Sequence, residues 1–134
     1  MPANVLIIED NSANLELVAY LLESAGYVVL VATNGVDGVA VFQREMPDLV
    51  LCDLQMPRLD GYGVLEQLRA DPTCRDLRII ALTAFSMRGD EDRVLTAGFD
   101  GYLSKPIDPE KFIAQIEAFL PADLHSRHRS PTGL

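Results

Sequence analysis

Five short apolar, β-branched runs recur along the chain: "VLII" from Val5, "VVLVA" from Val28, "LVLC" from Leu49, "IIAL" from Ile79 and a weaker "GYL" from Gly101. None alternates apolar with polar residues, so each reads as a strand buried on both faces. Helical patterns fill the gaps. After the N-cap candidates Asn11 and Ser12, residues Leu15, Val18, Leu22 and Ala25 share one helical face, and Gly26 ends the segment. Further helices are expected from Val36 to Glu45, around Val64, Leu65 and Leu68, between Ser86 and Ala97, and from about Pro109 with Phe112, Ile113, Ile116, Phe119 and Leu120 inward. Strand and helix alternating five times predicts an α/β fold with a parallel sheet and right-handed crossovers. Five strands are too few for an eight-stranded barrel, which leaves an open, doubly wound sheet with five flanking helices. In such sheets the site lies outside the carboxyl ends of the strands.

A chain of 134 residues with 49% apolar side chains suits one domain with a real core. We expect that domain over residues 1–121. Residues 122–134, "ADLHSRHRSPTGL", are polar and aperiodic and read as a flexible tail whose His125 and His128 are solvated. A net charge of −9 and a pI near 4.5 argue against a nucleic-acid surface, which needs clustered Lys and Arg. No apolar run approaches the roughly 20 residues of a membrane span. The start, "MPANVLIIED", lacks the basic and apolar pattern of a signal peptide. Cys52 and Cys74 form no C-x-x-C pair. Cys52 reads as a small core residue, and a reducing cytoplasm is the simplest setting.

The strand-end rule then selects residues. Strand one runs into Glu9 and Asp10, strand three into Asp53, strand four into Thr83 and Ala84, and strand five is followed by Lys105 and Pro106. Each alone is ordinary: a Glu-Asp pair caps helices, and a surface lysine is solvated. Together they bring three carboxylates, a hydroxyl and an ammonium to one edge. Two unit charges 4 Å apart cost ~4 kcal/mol at an effective dielectric of about 20, so a positive group is required. Lys105 is one candidate and a divalent cation the other. Hard carboxylate oxygens suit Mg²⁺, which keeps several waters and needs few protein ligands. The candidate ligands include no Cys or His, which disfavours zinc and copper. A carboxylate beside Mg²⁺ and Lys can attack phosphorus and become an aspartyl phosphate. The Thr83 hydroxyl could donate to a phosphoryl oxygen, and small Ala84 leaves it room.

The set "IIEDN", "LVLCDLQMPRLDGY", "ALTAFS" and "GYLSKP" resembles the receiver domain of two-component response regulators, the CheY-like fold. The likeness covers roughly Asn4 to Leu120 and implies strand order 2-1-3-4-5. It implies Asp53 as phosphoacceptor, Asp10 as a direct Mg²⁺ ligand, Glu9 as a ligand through water, and the Gln55 carbonyl as a further ligand. It implies Thr83 and Lys105 as phosphoryl-binding residues, Tyr102 as the switch aromatic, and Pro106 after a cis bond. It also implies a turn through Met56, Pro57 and Gly61, with Gly61 chosen for its backbone shape. Apart from the resemblance, which varies at this position, the bulk of Phe85 two residues after Thr83 is expected to shield the phosphoryl group partly from attacking water.

The implied partners are a histidine kinase or histidine phosphotransfer protein upstream, and a downstream protein target on the face of helix four, strand five and helix five. No nucleic acid and no membrane are implied. The initiating Met and short tail point to a stand-alone regulator. A receiver from a hybrid histidine kinase is the alternative. A flavodoxin-like cofactor binder would need a Gly/Ser/Thr-rich loop where Glu9, Asp10 and Asn11 stand. A haloacid-dehalogenase-like phosphatase would need an acid where Gln55 stands.

Overall fold

The computed structural model describes residues 3–56, 59–72, 77–84 and 90–125. The elements alternate as β1 (Asn4–Ile8), α1 (Ser12–Ser24), β2 (Val28–Ala32), α2 (Gly35–Glu45), β3 (Leu49–Asp53), α3 (Gly61–Arg69), β4 (Arg78–Thr83), α4 (Asp90–Ala97), β5 (Gly101–Ser104) and α5 (Phe112–Glu117). All strand pairs are parallel, in the order β2-β1-β3-β4-β5, as the resemblance implied.

The sheet is sandwiched because successive side chains leave a strand on opposite faces. Leu6, Ile8, Val50, Cys52, Ile79 and Ala81 face one layer, where Val39 and Phe42 of α2, Val64, Leu65 and Leu68 of α3 and Val94 of α4 cover them. Val5, Ile7, Leu49, Leu51, Ile80 and Leu82 face the other, covered by Val18 and Leu22 of α1 and Phe112 and Ile116 of α5. Such double burial is why central strands carry unbroken apolar runs.

The strand over Val28–Ala32 departs from that expectation. It is an edge strand, and Val28 and Val31 are each 49% exposed. An unbroken apolar run therefore does not by itself imply a central position.

Local chemistry sets the helix ends. The Asn11 side chain accepts from the Asn14 amide, Asn34 from Asp37 and Asp60 from Gly63, each satisfying an N–H that the first turn leaves open. The last helix begins its regular span at Phe112 rather than Pro109. The turn before it is organised by Asp108, whose carboxylate accepts from the Glu110 amide at 3.0 Å and whose carbonyl accepts from Phe112 at 3.0 Å. The expected start of the fourth helix at Ser86 lies outside the described residues, as do Pro57, Cys74, Phe85 and His128.

Two expectations for the chain's end are corrected. Ala122–Leu124 is a 3-10 turn, and the Leu124 carbonyl accepts the Ala3 amide at 3.0 Å. His125 is not free in solvent. Its Nε2 lies 2.8 Å from the Glu117 carbonyl and 3.0 Å from that of Leu120. Both partners are acceptors, so Nε2 must carry the proton. These residues dock on carbonyls at the end of α5, where that of Glu117 also accepts the Leu120 amide at 3.1 Å.

Candidate functional site

Parallel strands end together, so residues far apart in sequence meet at one edge. In the register, Ile8 of β1 pairs with Cys52 of β3, Asp53 with Leu82 of β4, and Thr83 with Ser104 of β5. Glu9 and Asp10 therefore emerge beside Asp53. One oxygen from each of the three carboxylates lies within 4.8 Å of the others. Glu9 is fully buried, Asp53 nearly so at 5% exposure, and Asp10 faces solvent.

Lys105 also reaches the cluster. Its Nζ is 2.9 Å from Glu9 Oε1 and 3.3 Å from Asp53 Oδ1. The contact with Glu9 is an ion pair rather than an aligned hydrogen bond. The lysine is delivered by the chain after β5, whose Lys105 amide donates to the Thr83 carbonyl at 2.7 Å. The Lys105–Pro106 bond is cis, as the resemblance implied.

Asp53 Oδ1 also accepts the Gln55 amide at 3.1 Å, and Glu9 Oε2 accepts the Asn11 amide at 3.3 Å. Thr83 is buried at the end of β4. Tyr102 sits in β5 opposite Ala81, half-buried against the layer of α2, α3 and α4, so it is outside the acid cluster.

The electrostatics are unbalanced. Burial, reinforced by the neighbouring Asp53 carboxyl and opposed by Lys105, pushes Glu9 from an ordinary 4.5 up to about 7. Burial alone would lower the Lys105 ammonium, but Glu9 and Asp53 outweigh it and hold it above its usual range. Three acids against one base leave excess negative charge, part of it out of reach of water. That donor set fits a hard divalent cation. Cys52, next to Asp53, is a free thiol pushed upward by burial first and by Asp53 second. It is inert.

Gly61 is required for space and not for a left-handed backbone. A Cβ there would stand 2.7 Å from the Asp53 carbonyl oxygen and 2.8 Å from Leu54 Cα. The positive-φ glycines among the described residues are Gly26 and Gly98. The Gly61 amide donates to the Leu54 carbonyl at 3.2 Å, so α3 begins against the backbone that carries Asp53.

A family profile described as "Response regulator receiver domain" matches residues 5–117. The chain belongs to the response-regulator receiver family. A relative of this receiver, the polar-differentiation response regulator DivK of Brucella anthropi, is 39% identical over 120 residues, covering 90% of this chain and 98% of the relative. Among solved structures, CheY4 of Vibrio cholerae superposes with a TM-score of 0.84 at 26% identity, covering 90% of this chain and all of that one. The receiver domain of sensor histidine kinase PA1611 from Pseudomonas aeruginosa gives 0.80 at 33% identity over 89% of this chain and 98% of that one. That structure has a magnesium ion coordinated in its active-site cleft. Receiver membership implies work with histidine kinases or phosphotransfer proteins. Among the described residues, no helix is long and apolar enough to cross a membrane.

Sequence reasoning missed side chains that tie neighbouring elements together. Arg69 of α3 donates to the Leu77 and Gly98 carbonyls, each at 3.1 Å, and pairs with Asp100 at 2.7 Å. Tyr62 of α3 meets Phe99 edge-on and Arg93 of α4 face-on. Such cross-element pairs leave no periodic signal.

Proposed function

We propose that this receiver accepts a phosphoryl group on Asp53 from the phospho-histidine of a histidine kinase or phosphotransfer protein, and signals by contact with a downstream protein. The observation that carries the reading is the acid cluster: buried Glu9 and Asp53, solvent-facing Asp10 and the Lys105 ammonium at 3.3 Å from Asp53.

Asp10, Asp53 and the Gln55 carbonyl, together with Glu9, would hold a Mg²⁺ ion, which would supply charge neutralisation for the phosphoryl oxygens. An Asp53 carboxylate oxygen forms the new bond to phosphorus. The donor's P–N bond breaks, and its electron pair returns to the imidazole nitrogen, which then takes a proton. Lys105 leaves its resting pairing with the carboxylates for a phosphoryl oxygen, and the Thr83 hydroxyl donates to another. The chain catalyses its own phosphorylation and dephosphorylation only.

Tyr102 is the switch. It stands on β5 beside β4, and Thr83 lies two residues beyond its partner Ala81. When Thr83 moves toward the phosphoryl group, the Tyr102 ring swings inward and the face of α4, β5 and α5 changes shape for the target. The phosphoryl group biases the two states only by its differential binding to them. A reducing cytoplasm suits the free Cys52 thiol.

The test is intact mass after incubation with acetyl phosphate and Mg²⁺. Wild type should gain one phosphoryl group and Asp53→Asn none, and an equal gain in the variant rejects the assignment. A Thr83→Ala variant that keeps the full phosphorylation-dependent affinity for a target would reject the switch.

A further inference from the structure

The contact between Tyr62 and Arg93 joins the phosphoacceptor loop to α4. Its first half is fixed. Gly61, next in sequence, abuts the Asp53 carbonyl with no room for a Cβ and donates to Leu54, while Asp60 caps the helix through Gly63 at 2.9 Å. Tyr62 therefore moves with the backbone of Asp53. Its ring meets Phe99 at 5.9 Å and 75°, and the Arg93 guanidinium lies 5.6 Å from the ring centroid.

The second half is asymmetric. α4 is anchored at its middle by buried Val94 and beyond its last residue by buried Phe99 and the Arg69 bond to the Gly98 carbonyl at 3.1 Å. Arg93, the fourth of the eight residues of Asp90–Ala97, adjoins Val94 and adds a contact from the exposed side of the helix to α3. A displacement of α4 relative to α3 has to part the Arg93–Tyr62 stack. The Tyr62 hydroxyl is buried with no hydrogen-bond partner among the described residues, so the ring is held by its faces and edges rather than by its polar tip.

We propose that Arg93 and Tyr62 form a latch that holds α4 in its resting position and that modification of Asp53 must loosen. The proposal rests on Asp53 being the phosphoacceptor. By linkage, whatever stabilises the resting state weakens the ligand that favours the other state. Breaking the latch should therefore tighten binding of a phosphoryl mimic. Simple electrostatics predicts the reverse, because removing a cation from an acidic protein disfavours an anionic ligand.

The experiment is calorimetric titration of the full chain with beryllofluoride in Mg²⁺. Arg93→Ala, at an exposed position, should bind about two- to fivefold tighter, the range expected from one exposed cation–π contact. Tyr62→Leu should shift in the same direction. The double variant should be no tighter than the tighter single variant, since both remove one contact. Tyr62→Phe keeps the ring face and should match wild type. Should Tyr62→Leu fail to fold, Arg93→Ala and Arg93→Gln carry the test alone. Unchanged or weaker binding in the Arg93 variants overturns the latch, as does full additivity in the double variant. A wild type that does not bind the mimic removes the phosphoacceptor reading and the latch with it. A wild type that binds, with Arg93 variants indistinguishable from it, removes the latch alone.

Discussion

The two ends of the sheet are built on opposite terms. At the amino edge, polar groups are tied off within the chain. The Asn4 amide donates to Asp48 at 2.9 Å, Ala3 to Leu124, and buried Tyr27 donates its hydroxyl to Glu117 across 90 residues of sequence. Arg69 and Asp100 close the same side between β4 and β5, where Asp100 also accepts the Ile79 amide at 2.8 Å. At the carboxyl edge, three carboxylates cluster, and two of them, Glu9 and Asp53, pair with one ammonium, that of Lys105. Buried charge without full compensation destabilises. One end is spent on holding the strands in register, and the other keeps a deficit that a cation or phosphoryl group can relieve.

The largest expected effect tests the deficit. Glu9 is ordinarily half-protonated at 4.5 but is pushed up to about 7 in the fold. Between those values the folded chain binds more protons than the unfolded one, so stability is fully present below 4.5 and falls as pH rises through about 7. At 1.36 kcal/mol per unit this is up to about 3 kcal/mol. Urea unfolding in EDTA should show that decline, and Glu9→Gln should flatten it. Mg²⁺ should restore stability at pH 8 far more than at pH 5. A wild-type profile in EDTA that is flat or rises from pH 5 to 8 contradicts the deficit.

Next in size is the opposite edge. Asp100→Ala removes an ion pair and the acceptor for Ile79, leaving Arg69 with only carbonyls, so it should cost about 2 kcal/mol. Because the change is remote from Asp53, the rate of mass gain from acetyl phosphate should stay within about twofold of wild type. A variant that keeps its stability but loses phosphorylation would invert the contrast between the ends.

How much of this was legible depends on where the information sits. Central parallel strands announce themselves because both faces are buried, and the acid cluster was findable because Glu9, Asp10 and Asp53 stand at the ends of two such strands. Strand order came from the resemblance, since periodicity carries no neighbour relations. The edge position of Val28–Ala32 was hidden because its composition matches the central strands. The role of Gly61 was misassigned because sequence cannot separate a demand for φ from a demand for space. Arg69–Asp100, Tyr27–Glu117 and Arg93–Tyr62 unite helices and strands that are distant in sequence, and no local pattern marks them.

The smallest effect concerns the residues after Pro121, where polarity suggested solvent and the backbone supplied the exception. His125 closes the end of α5 by donating from Nε2 to two carbonyls, and Leu124 alongside it accepts from Ala3. One net hydrogen bond of this kind contributes about 1 kcal/mol. His125→Ala should therefore lower stability by about that amount. The loss should be local: amide exchange should accelerate at Ala3 and in the last turn of α5, whereas the Glu9-dependent pH profile and phosphorylation of Asp53 should not change. His125→Gln should not rescue, because its amide must reach both carbonyls from a flexible chain, and only a donor in the same place restores protection. If Ala3 exchanges no faster in His125→Ala, the turn is held by Leu124 packing alone and the amino edge needs no clasp from this histidine.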